Sequence, residues 1–188
     1  MTPKEYFVQL CKTLDTLDYS NVESLISAIR ETQARGGTVY VFGNGGSGAN
    51  ASHFAQDLLK CPIRDFGSRS GRYKTICLND NTPVLMAYAN DMNYEDIFVQ
   101  QLMNFCEKND LVIGISGSGN SMNVVKAIEY ARGIGTRTFV IVGFDGGKLL
   151  TTAERAVHAK TSNMQIYEDI AMMTMHSIVT ALKESVPQ

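Results

Sequence analysis

Thr38-Val39-Tyr40-Val41-Phe42-Gly43-Asn44-Gly45-Gly46-Ser47 is a β-branched and aromatic run that stops in small residues, and helix-like sequence follows it to Lys60. The order repeats farther on. Asp110 to Ser116 reads as a strand around the apolar run Leu111 to Ile115, Ser116-Gly117-Ser118-Gly119-Asn120-Ser121 is small and polar, and Ser121 to Arg132 has helical spacing. A buried strand that ends in such a turn delivers the chain to a helix N-terminus, where unpaired N–H groups and the positive end of the dipole favour an anion. Small residues let the backbone approach that anion, and serine hydroxyls add donors. One such loop is an ordinary strand-to-helix turn. Two in corresponding places point to a ligand that carries phosphate.

Working outward, apolar residues from Tyr6 to Leu14 and from Val22 to Ile29 recur at helical spacing with a break near Asp18 to Asn21, so two helices precede the first strand. Thr75 to Leu78 reads as the next strand, after a polar loop from 64 to 72. Asp80 to Asn90 and Tyr94 to Phe105 read as helices, Arg137 to Val142 as a fourth strand, Ala156 to Lys160 as a short fifth, and Met164 to Glu184 as a long final helix. Strands alternating with helices predict an α/β sandwich on a parallel sheet, with ligands beyond the carboxyl ends of the strands. Neither loop has the spaced three-glycine dinucleotide fingerprint, and no Walker lysine is present, which leaves a sugar phosphate as the better fit.

The 188 residues suit one domain. A net charge of −2 gives no basic footprint for nucleic acid, and the longest apolar runs fall short of a membrane span. With no signal-peptide pattern at the N-terminus, the expected location is the cytoplasm. The four cysteines lack Cys-x-x-Cys spacing and read as reduced thiols.

Histidines number three, so histidine chemistry has few candidates. His53 and Asp57, four apart, lie about 40° around a helix axis; Glu168 and His176, eight apart, lie about 80° around the axis of the last helix. Two imidazoles and two carboxylates suit general acid–base work or a mixed nitrogen-and-oxygen site for a divalent ion such as zinc. Each alone is more often a core or solvated residue. The quartet requires the two helices to meet.

Phe42-Gly43-Asn44-Gly45-Gly46-Ser47 with His53-Phe54-Ala55 and Asp57-Leu58, then Ile115-Ser116 through Ser118-Gly119-Asn120-Ser121 with Asn123-Val124, closely resembles the SIS (sugar isomerase) domain family, and within it the phosphoheptose isomerases. Ala89-Asn90-Asp91, Tyr94-Glu95 and Asp145-Gly146-Gly147-Lys148 extend the match. The resemblance implies one SIS domain over 1–188, a three-layer αβα sandwich with a five-stranded parallel sheet, and helices 3–35 packed on the domain or in an oligomer interface. It further implies a homotetramer and an aldose–ketose isomerase for a phosphorylated sugar, foremost sedoheptulose 7-phosphate. By the same resemblance, substrate contacts fall on Asn44, Gly45, Gly46 and Ser47, on Asn90 and Asp91, and on Ser116, Gly117, Ser118 and Ser121. Metal ligands fall on His53, Asp57, Glu168 and His176, with proton transfer by Asp57 and His176.

Four positions depart from the family pattern. Asp57 stands where glutamate is usual, Glu168 where glutamine is, Gly117 where threonine is common, and Cys61 where an arginine is usual. These departures bear on the substrate more than on the chemistry. The alternatives are a non-catalytic SIS protein that binds a sugar phosphate or a protein partner, and an isomerase of another sugar phosphate; retention of His176, His53 and Asp57 favours an enzyme.

Overall fold

The computed structural model describes residues 1–63 and 65–184. Arg64, in the polar loop, lies outside them. Two helices open the chain, α1 (Pro3–Leu14) and α2 (Tyr19–Ala34). Thr2 caps α1 in a reciprocal box with Glu5, and Asp18 accepts from Ser20 to start α2. Then come β1 (Thr38–Gly43), α3 (Gly45–Lys60), β2 (Lys74–Cys77), α4 (Thr82–Asp91), a 3-10 turn (Tyr94–Asp96) and α5 (Val99–Phe105). The second half runs β3 (Leu111–Ser116), α6 (Met122–Gly133), β4 (Arg137–Val142), α7 (Leu149–Thr152), β5 (Arg155–His158) and α8 (Met164–Glu184).

All five strands are parallel, in the order β2-β1-β3-β4-β5. A central parallel strand is buried on both faces, which is why β3 and β4 read as unbroken apolar runs. Alternate residues feed two cores. Val41, Ile113, Phe139 and Ile141 pack with α1, α2, α3 and α8 on one side. Tyr40, Phe42, Val112 and Val140 pack with α5, α6 and α7 on the other. The N-terminal helices therefore pack on the domain, with Leu10, Leu25, Ala28 and Ile29 in the first core. Tyr6 ties α1 to α8 by donating its hydroxyl to Asp169 Oδ2 at 2.5 Å; partial burial, reinforced by that carboxylate, pushes the phenol up to about 12.

From β1 the chain goes to β2 at one edge, then crosses back to build β3 on the other side of β1. The direction of winding reverses between β1 and β3. In an open parallel sheet the crevice beyond the strand ends at such a reversal is where ligands bind. Both small-residue loops emerge there.

Candidate active site

Asn44 and Ser121 occupy the N-cap positions of α3 and α6, and neither side chain makes a capping hydrogen bond. Asparagine and serine are good caps, so two uncapped termini side by side leave first-turn N–H groups for another acceptor. Gly45 has φ of +53°, a conformation that glycine adopts readily. A left-handed residue leading into a right-handed turn makes successive N–H groups converge on a concavity suited to an anion.

Around these termini lies a cavity of about 260 Å³, lined by Asn44 to Ser47, Ile115 to Ser118, Ser121, Met164 and Glu168. Eight of the ten expected substrate contacts thus share one cavity. Asn90 and Asp91, by contrast, lie exposed at the end of α4, where the Asn90 amide donates to Asp91 Oδ1 at 2.8 Å, and neither lines the cavity. The serine loop is held from within and behind: Ser116 Oγ donates to Ser121 Oγ at 3.3 Å, Asn120 N to Ser118 Oγ at 3.2 Å, and Leu149 N to Gly119 O at 3.0 Å.

Two glycines of this cavity lie close against side chains of α8. A Cβ at Gly117 would stand 2.6 Å from Met164 Sδ, the end of a flexible side chain, and 3.1 Å from Cδ1 of the buried Tyr167 ring, so a larger residue here needs Met164 to move. Tyr167 is fully buried there and donates its hydroxyl to Ile141 O at 2.9 Å; burial pushes its phenol far up. A Cβ at Gly46 would collide with the Glu168 carboxylate, which therefore lies over the glycine loop.

α3 packs against α8, and Asn50 Nδ2 donates to Glu168 O at 2.9 Å across the contact. Farther along both helices, His53, Asp57 and His176 bring donor atoms together. Asp57 Oδ2 is 3.6 Å from His53 Nε2 and 3.7 Å from His176 Nε2, and the two imidazole nitrogens are 3.5 Å apart. A point equidistant from atoms so spaced lies about 2.1 Å from each, a usual bond length for zinc with nitrogen and oxygen ligands. The triad is thus fit to hold a divalent ion. Both histidine side chains are about half exposed while Asp57 is 14% exposed, so the carboxylate is the fixed base of the group. Glu168, the fourth expected ligand, is not in this cluster and lines the loop cavity instead.

Cys61, where the family usually has arginine, turns its thiol toward Asp57 Oδ1 at 3.7 Å; burial and the nearby carboxylate push the thiol upward. Sequence reasoning assigned no role to Asn79, Tyr94 or Asn123. Asn79 brackets Gly43, accepting from its N–H at 3.2 Å and donating to its carbonyl at 2.8 Å. Tyr94 and Asn123 both bond Asn44. Their partners are distant in sequence, so only the fold reveals them.

The sequence pattern of the SIS domain family matches residues 4–143. A probable phosphoheptose isomerase of Thermoplasma volcanium is 33% identical over 171 residues, covering 91% of this chain and 85% of that protein. A phosphoheptose isomerase of Helicobacter pylori is 35% identical over 160 residues, covering 81% and 78%. Among solved structures, a phosphoheptose isomerase from Francisella tularensis superposes with a TM-score of 0.88 at 22% identity, covering 98% of this chain and 100% of that one, a likeness of fold.

Proposed function

The chain belongs to the SIS-domain family, among its phosphoheptose isomerases, and on that footing we propose that it interconverts sedoheptulose 7-phosphate and D-glycero-D-manno-heptose 7-phosphate through an enediol. The observation that carries this reading is the pairing of a cavity at the N-termini of α3 and α6 with the His53, Asp57, His176 triad farther along α3 and α8. From Ser47 to His53 is about 9 Å along α3. That span suits an extended seven-carbon sugar with its phosphate at the loops and its carbonyl end at the triad.

In this reading the open N–H groups of α3 and α6, with the hydroxyls of Ser47, Ser116, Ser118 and Ser121, hold the phosphate. Binding energy gathered there positions carbons that react at the other end. His53, Asp57 and His176 would hold a divalent ion, which we take to be zinc and which would supply Lewis-acid polarisation of the substrate's carbonyl and hydroxyl oxygens.

Asp57 and His176 share the proton work, each through the carboxylate oxygen or ring nitrogen that the ion would leave free. One removes the proton on C1 of the ketose, the C–H pair becomes the C1–C2 double bond, and O2 takes a proton. A proton then returns to C2 while O1 gives up its own, leaving an aldehyde at C1. Imidazole and carboxylate both exchange protons in this way within hydrogen-bonding reach. Neither needs an outside oxidant, because the reaction moves hydrogen within one molecule.

We take residues 1–188 as one SIS domain that acts in the cytoplasm as a homotetramer. In support of an assembly, α4 buries no residue within the protomer, and Phe7, Met86 and Met92 stand exposed. Four free cysteines suit a reducing compartment. The direct test is to follow sedoheptulose 7-phosphate by NMR with zinc-supplemented protein. Formation of the aldose phosphate supports the reading, and none with the ligand bound contradicts it.

A further inference from the structure

Asn44 occupies a helix N-cap, yet its side chain is committed elsewhere. Its Nδ2 donates to Asn123 Oδ1 at 2.9 Å, and its Oδ1 accepts from Asn123 Nδ2 at 2.9 Å and from Tyr94 OH at 3.0 Å. Asn123 is 2% exposed, sits in the first turn of α6, and also accepts from Val124 N at 2.9 Å through its Oδ1. The amide pair therefore bridges the crevice between β1 and β3 and joins the start of α3 to the start of α6. Tyr94, at the 3-10 turn, closes the group from the outer side.

Two consequences follow from chemistry. The reciprocal amide pair fixes the distance between the two helix termini that line the cavity. It also keeps Asn44 Oδ1 occupied, so this acceptor does not cap α3 and does not compete with a ligand for the first-turn N–H groups.

We propose that Asn123 and Tyr94 are positioning residues that act through Asn44, holding the two helix termini open and correctly spaced for a phosphate. They touch neither the reacting carbons nor the metal triad. This rests on the isomerase reading for its consequence in turnover, but its phosphate-binding part stands apart from turnover.

The test uses the full chain and inorganic phosphate, titrated by calorimetry, alongside sedoheptulose 7-phosphate kinetics. Asn123→Ala is expected to weaken phosphate binding about fivefold, about what one or two lost hydrogen bonds cost. Its KM should rise by a similar factor while kcat stays within about twofold, because the triad is untouched. Tyr94→Phe removes one exposed hydroxyl without threat to folding, and should shift both quantities in the same direction by about twofold.

The deciding comparison repeats both substitutions in an Asn44→Ala background. Residues that act through Asn44 have nothing to act on there, so neither substitution should weaken phosphate binding further. If either lowers affinity by the same factor with Asn44 absent, or if Asn123→Ala lowers kcat and leaves KM unchanged, the proposal is overturned. Wild-type protein that binds phosphate with this pattern but does not convert the heptulose phosphate would sink the isomerase reading alone.

Discussion

His53 and His176 are 123 positions apart in the chain, and their Nε2 atoms are 3.5 Å apart, each within 3.7 Å of Asp57 Oδ2. Such a convergence of three donors follows from α3 lying along α8, and it makes metal binding the first property to measure. Purified protein dialysed against zinc should carry one ion per protomer by elemental analysis. His53→Ala and His176→Ala should each lower zinc affinity by more than the 10- to 100-fold that losing a supporting partner costs, and a chelator should remove turnover until zinc is returned.

Among the described residues, Glu168 is the one charged side chain lining the cavity between the two loops, where we place the phosphate. Like charges about 6 Å apart repel by roughly 1–3 kcal/mol at the effective dielectric of a partly exposed site. Glu168→Gln should therefore tighten inorganic phosphate binding severalfold, more so at low salt, and leave zinc content unchanged. A fall in zinc content would instead make Glu168 a ligand.

Gly117 packs against the end of Met164 and the buried Tyr167 ring. Gly117→Ala places a methyl against Met164 Sδ, and overpacking of this kind costs about 1–3 kcal/mol. Thermal unfolding should show a lowered Tm, and adding Met164→Ala should recover part of it by making room.

Thiol labelling should follow burial. Desolvation pushes Cys77 up to about 12 and Cys106 up to about 11, and both are buried, so at pH 8 they are protonated and slow to react. Cys61 is raised as well, so its labelling should accelerate as pH rises. Exposed Cys11 should react first in the native protein, and all four after denaturation.

Much of the fold is legible in the sequence for identifiable reasons. β4 is a run of β-branched residues and a phenylalanine and α8 a long periodic one, and the structure gives both the bounds that their pattern indicates, Arg137–Val142 and Met164–Glu184. Boundaries slipped where local signals were answered from a distance. α3 begins at Gly45 instead of Ser47, because the side chain that would announce the cap is bonded to α6. The stretch from Tyr94 to Phe105 reads as one helix but divides into a 3-10 turn and α5, with Asn93 Nδ2 bonding Asp96 at the turn.

The site divides in the same way. His53 and Asp57 share a helix face by spacing alone, and the loops announce themselves by composition. That His176 joins the pair while Glu168 turns to the glycine loop depends on how α8 lies against α3. Sequence spacing along α8 fixes a shared face and leaves the axial offset open.

One measurement tests the central claim most directly: NMR of sedoheptulose 7-phosphate in deuterated buffer with zinc-loaded wild-type protein and with His176→Ala. The account expects the wild type to form the aldose phosphate, and the variant to lose at least about 100-fold in rate while still binding inorganic phosphate. Equal turnover in the two proteins, or none in the wild type, would contradict it.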